Sequence, residues 1–95
     1  MSAYVIAEVE ITDPQLFAEY GRGVPASIAA YGGRYLVRGG NVETKEGSWT
    51  PKRVVILEFA SMDQARKWYD SPEYRPLLGM RLKSANTKLF FIEGV

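Results

Sequence analysis

Hydrophobic and polar positions alternate strictly over residues 4–11, YVIAEVEI. Val5, Ala7, Val9 and Ile11 form one row, and Tyr4, Ile6, Glu8 and Glu10 the other. A period of two predicts a half-buried strand. The next residues, TDPQ, carry helix-start chemistry: Thr12 or Asp13 as cap and Pro14 in the first turn. Leu16, Phe17, Tyr20, Val24, Ile28 and Tyr31 then recur at helical spacing, interrupted by GRGVP. Pro25 has no N–H for the Gly21 carbonyl and its ring crowds that oxygen. The pattern predicts a kinked helix over about residues 14–31, stopped by Gly32-Gly33.

Residues 34–45, RYLVRGGNVETK, read as a strand loosened by Gly39-Gly40, and EGSWTP reads as a turn. Residues 52–59, KRVVILEF, are β-branched and continuous, the strongest strand signal in the chain. The two strands predict a hairpin. Ser61 and Gln64 match a capping box, and Ala65, Trp68 and Tyr69 share one face of the helix that follows. Ser71-Pro72-Glu73 is a second start signal: a capping hydroxyl, a proline at the first position and an acid suited to the helix dipole. One helix therefore ends and another begins at a new angle. Tyr74, Leu77, Leu78, Leu82 and Ala85 continue its helical spacing, and KLFFIE at 88–93 closes the chain as a strand.

The order β-α-β-β-α-β, in a chain with room for one domain (residues 1–95), predicts an α+β ferredoxin-like fold. Its four-stranded antiparallel sheet carries both helices on one face, with the first and third strands central. Val55, Leu57 and Phe59 face the helices, which turns Val54, Ile56 and Glu58 to the opposite face with Ile6, Glu8, Leu36 and Arg38. That face is too apolar for water and predicts a two-fold homodimer, sheet against sheet, in the manner of a dimeric α/β barrel.

Composition narrows the chemistry. With no cysteine and no histidine, thiolate sites and the usual general base and metal ligand are excluded. Twelve basic and 11 acidic residues give a net charge of +1, no electrostatic case for nucleic acid or an anionic membrane. No apolar run of about 18 residues reads as a membrane span. The start MSAYVIAEVEITD lacks the basic and apolar regions of an export signal, so a cytoplasmic location is expected.

YGGRYLVRGG at 31–40, then EGSW, VVILEF and WYDSPEYRPL, together resemble the bacterial family labelled domain of unknown function 1330, over essentially the whole chain. The resemblance implies a ferredoxin-like domain of the dimeric α/β-barrel group and no defined reaction. Related barrel families include cofactor-free monooxygenases, isomerases of small acids and haem-handling enzymes. Haem chemistry resting on a histidine ligand does not carry over.

Arg38, expected on the open face unless a bulge near Gly39 shifts the register by one, has two readings: a fork for a carboxylate ligand, or a buried partner of Glu58 or Glu8. Glu58 follows four apolar residues, where a carboxyl pKa rises and suits a general base; pairing with Arg38 would instead keep it ionised. Glu8 has the same two readings. Tyr74 can place a hydroxyl at a pocket mouth. Tyr69, whose ordinary role is packing helix on sheet, completes the ligand-binding candidates. No loop motif supports a metal at Glu8 and Glu58, and no cofactor is expected. The expected function is binding or transformation of a small organic acid or carbonyl metabolite between the sheet faces of a homodimer. The alternative is a non-catalytic metabolite-binding or regulatory dimerisation module. RNA recognition is disfavoured, because KRVVILEF puts Val54, Ile56 and Glu58 where basic and aromatic side chains are needed.

Overall fold

Alternation along the first strand becomes burial on one side only. In a computed structural model describing residues 1–95, β1 (Ala3–Ile11) buries Ala3, Val5, Ala7 and Val9 and leaves the intervening residues partly exposed. The remaining elements are α1 (Pro14–Ala30), β2 (Arg34–Arg38), β3 (Arg53–Phe59), α2 (Met62–Tyr69), α3 (Arg75–Ser84) and β4 (Ala85–Glu93). The sheet is fully antiparallel in the order β2-β3-β1-β4, with β1 and β3 central as expected. No helix is long and apolar enough to cross a membrane.

The helix ends follow the local chemistry. Asp13 caps α1 by accepting from Leu16 N at 3.2 Å. The same turn is tied to the end of α3, because Thr12 N and Asp13 N both donate to Ser84 O. α1 runs through Pro25 and stops at Gly32, whose φ of 73° suits only glycine without strain. Gly32 N and Gly33 N turn back to the Ala29 and Ile28 carbonyls, satisfying the last turn. Ser61 caps α2 by accepting from Gln64 N, but the other half of the expected box is absent. Gln64 Nε2 donates instead to Tyr31 O, joining α2 to the end of α1. At the break, Ser71 Oγ accepts from Tyr74 N at 3.1 Å and donates to Trp68 O at 2.7 Å. The serine thus closes α2 and caps the turn of residues 71–74, buried at the junction; α3 itself starts later than expected, at Arg75, with no side-chain cap.

The core is built around Trp68. Its ring packs on Phe59 and Tyr74, at centroid separations of 5.4 and 4.1 Å. Its Nε1 donates to Ser27 Oγ, which passes its own hydrogen to Val24 O, so no polar atom of this buried pair is stranded. α1 packs chiefly on α3. Gly23 permits that contact: a Cβ there would come within 2.6 Å of Leu77.

Three expectations change. β2 ends at Arg38 rather than residue 45, because Gly39, at φ 70°, turns the chain out of the sheet. α3 ends at Ser84, so Ala85 lies in β4 opposite Ile11 rather than on a helix, and Leu82 is exposed. The third concerns parity. β2 pairs Tyr35 with Leu57 and Val37 with Ile56, so two steps on β2 match one on β3 and Leu36 is the extra residue of a bulge. Beyond it every side chain changes face. Val37 joins the open face, and Arg38, opposite Val55, turns to the helix side.

Candidate functional site

Between the helices and the sheet lies a cavity of about 440 Å³. Its floor is the small side chains of β1, Val5, Ala7 and Val9, and its roof includes Gly21 and Val24 of α1. Because α1 leans on α3, these small residues leave the space between α1 and the sheet unfilled. The size falls in the range of small-molecule sites.

Polar groups enter this apolar space from both α1 and α3 and from the β2–β3 hairpin. Tyr20 of α1 and Tyr74, the residue before α3, bring their hydroxyls within 2.8 Å of each other. Arg81 Nε donates to Tyr74 Oη at 3.2 Å. Arg81 is only 5% exposed and has no carboxylate partner. Arg38 and Arg53 enter from the hairpin, and Arg22 from α1. No Asp or Glu lines the cavity. Arg38 Nη2 donates to Gly21 O at 2.8 Å, the carbonyl that Pro25 leaves without a helical partner. Its guanidinium stacks 4.6 Å from the Tyr35 ring. Arg53 lies above Gly39, where a Cβ would meet its guanidinium at 2.1 Å, and its Nε is sealed from solvent with no hydrogen-bond partner.

These surroundings fix protonation. Burial, then Tyr74, pushes the Tyr20 pKa far above the ordinary phenol range. Burial also raises Tyr35, against the opposing pull of Arg38. Burial disfavours the Arg81 cation, but the surrounding tyrosines, Tyr74 first and then Tyr20 and Tyr69, together outweigh it and raise the Arg81 pKa. Tyr20 and Tyr35 therefore stand as neutral phenols beside permanent cations, a set that donates hydrogen bonds and balances negative charge.

The residues singled out from the sequence divide between the faces. Arg38 and Tyr74 line the cavity. Arg38 does not meet Glu58 between the sheets, because the bulge at Leu36 reverses its direction. Glu58 is on the open face, bonded to Arg34 at 2.8 Å. That hydrogen bond lowers its pKa against the opposing effect of desolvation, the opposite of the rise a general base needs. Glu8 accepts from Trp49 Nε1 and Lys52 N and anchors the loop before β3. The two glutamates are four register positions apart along the β1–β3 ladder, roughly 13 Å, and do not converge. Tyr69 lies outside the cavity lining, packed among Trp68, Tyr74 and Phe91.

Sequence reasoning passed over Arg81, Tyr20 and Arg53. Each had a signal in its spacing. Tyr74, Leu78 and Arg81 fall at i, i+4 and i+7, which puts a cation in an apolar stripe. Tyr20 stands between Phe17 and Val24 on the buried face of α1, and Arg53 shares the parity of Val55, Leu57 and Phe59.

The chain belongs to the family described as domain of unknown function (DUF1330), whose model matches residues 2–95. Among solved structures it is similar to a protein of unknown function from Rhodopseudomonas palustris, with a TM-score of 0.78 and 18% identity over 99% of this chain and 82% of that one. It is also similar to a dimeric ferredoxin-like protein of unknown function from Jannaschia sp. CCS1, with a TM-score of 0.76 and 12% identity over 99% and 100% of the two chains. SnoaB, a cofactor-independent oxygenase from Streptomyces nogalater, matches with a TM-score of 0.71 and 13% identity over 99% and 93%. At these identities the likeness shows the fold, which is ferredoxin-like. No curated protein matches the chain.

Proposed function

We propose that this member of the DUF1330 family binds a small organic acid in the cavity between its helices and its sheet, as a homodimer joined through the open sheet faces. The observation that carries the reading is Arg81, buried and charged without a carboxylate partner. An unpaired buried cation is costly, by several kcal/mol in ordinary proteins, and a bound anion removes that cost. Aromatic walls at Phe17, Tyr20, Tyr35 and Trp68 suit a flat apolar body attached to the acid group.

The lining argues for holding an anion more than for moving a proton. Arginine does not deprotonate, and Tyr20 and Tyr35 stay neutral near pH 7. Glu58 and Glu8 serve the open face in this reading. If the site is catalytic, the reactivity belongs to the bound anion and the protein positions it. The likeness in fold to SnoaB, described as a cofactor-independent oxygenase, is compatible with such a role. The dimer rests on the apolar open face, where Ile6 and Ile56 stand opposite each other beside Tyr4, Phe90 and Ile92, and on relatives described as dimeric. Calorimetric titration with benzoate and with benzamide tests the site, since the two differ mainly in charge. Benzoate is expected to bind at least tenfold more tightly. Equal binding of the amide, or no binding of either, contradicts the proposal.

A further inference from the structure

The cavity's free donors are not gathered at one point. Arg81 comes from α3 and meets the Tyr20–Tyr74 pair. Arg53 comes from the start of β3, above Gly39 and 5.8 Å from the Phe17 ring. Both line the same cavity.

The donor count is in excess at both places. Tyr74 Oη accepts from Arg81 Nε, and one hydrogen is shared between the two hydroxyls, so one O–H hydrogen remains whichever tyrosine donates. The Nη groups of Arg81 remain free of the chain's own carboxylates. At the second place the Arg53 guanidinium lines the cavity with no carboxylate beside it, and its Nε–H, sealed from solvent, has no acceptor within the chain either. Leaving a buried donor unmade is the expensive outcome in hydrogen-bond energetics. Nor is there a spare acceptor nearby in the helix: the Gly21 carbonyl that Pro25 frees is taken by Arg38. A ligand with a single acid group on Arg81 would leave the Arg53 guanidinium without a counter-charge.

Building on the anion-binding reading above, we infer that the cavity takes a two-headed ligand: a flat, small organic acid whose carboxylate meets Arg81 and the tyrosine pair, and whose second oxygen-bearing acceptor group meets Arg53. Arg38, held in place by one bond to Gly21 O and by stacking on Tyr35, reinforces the positive charge at the second place. Dicarboxylates and carboxylates with a second phenolate or enolate oxygen have this chemistry. Monocarboxylates have half of it.

The test uses benzoate and the three benzenedicarboxylates as probes, which differ in the number and angle of their acid groups. The whole protein is titrated calorimetrically with each, alongside Arg53→Met and Arg53→Lys. At least one dicarboxylate is expected to bind tenfold or more tightly than benzoate. Arg53→Met is expected to lower that affinity at least tenfold and the benzoate affinity less than threefold. Arg53→Lys keeps the charge but not the planar guanidinium, and should recover only part of the difference. If no dicarboxylate exceeds benzoate, or if Arg53→Lys and Arg53→Met weaken both classes equally, the second anchor is wrong and the anion site stands. If neither class binds, the anion site fails and the two-headed ligand with it.

Discussion

The two faces of one sheet are lined by alternate residues of the same strands, yet they treat charge in opposite ways. On the open face, acids have partners: Glu58 has Arg34, Glu10 has Lys52, and Glu8 holds Lys52 N and Trp49. On the helix face, Arg81 is buried without a carboxylate and Arg53 Nε has no acceptor. Charges paired within the chain explain themselves structurally. Charges that are buried and unpaired need something from outside the chain, and that difference locates the candidate site better than charge alone.

The strongest way to break the comparison is to truncate a large side chain on each face. Trp68→Ala removes the ring between Phe59 and Tyr74 and the bond that Ser27 Oγ accepts from it, and should cost about 3–5 kcal/mol in urea unfolding. That is a large share of the total stability of a small domain. On the open face, Ile56→Asp should leave each chain folded and convert the dimer to monomer by sedimentation at micromolar concentration. A dimer that survives the aspartate would show that the open face is not the contact.

Ser71→Ala should cost about 1 kcal/mol, the usual loss for a capping hydroxyl, here one that caps the turn before α3, and leave benzoate affinity unchanged. A variant that melts like the parent but binds poorly would bring Ser71 into the site. The smallest effects separate the faces by pH. Tyr20 has a raised pKa when folded, so its stabilisation is present below the unfolded value of about 10 and is lost as pH rises through the higher folded value. Glu58 has a lowered pKa, so its stabilisation is present above the unfolded value of about 4.3 and is lost as pH falls through the lower folded value. Tyr20→Phe should therefore flatten the alkaline edge of a melting-temperature profile, and Glu58→Gln the acid edge, each with little effect on the other.

The central strands were legible in the sequence because a period of two and β-branched residues leave one reading for β1 and β3. The corner at Ser71 was legible because a capping hydroxyl followed by proline has a direct backbone meaning. The face of Arg38 was not. A single extra residue at Leu36 reverses it, and nothing in RYLVRGG marks that bulge, while Gly39-Gly40 draws attention further along. The cavity was hidden for a different reason. It depends on how far α1 leans towards α3 over small residues of β1, a tertiary distance that no local pattern encodes. Arg81 stood in plain view at helical spacing from Tyr74, but a cation within an apolar stripe acquires meaning only once the absence of a nearby acid is known.

The claim that Arg81 is held for a ligand is tested most directly by melting the protein and Arg81→Met with and without benzoate. Removing a buried unpaired charge while keeping its volume should leave the ligand-free variant as stable as the parent or more so. Benzoate should raise the melting temperature of the parent and leave the variant unmoved. A variant that melts several degrees lower without ligand, yet is still stabilised by benzoate, would mean that Arg81 is a structural residue and that the anion site is elsewhere.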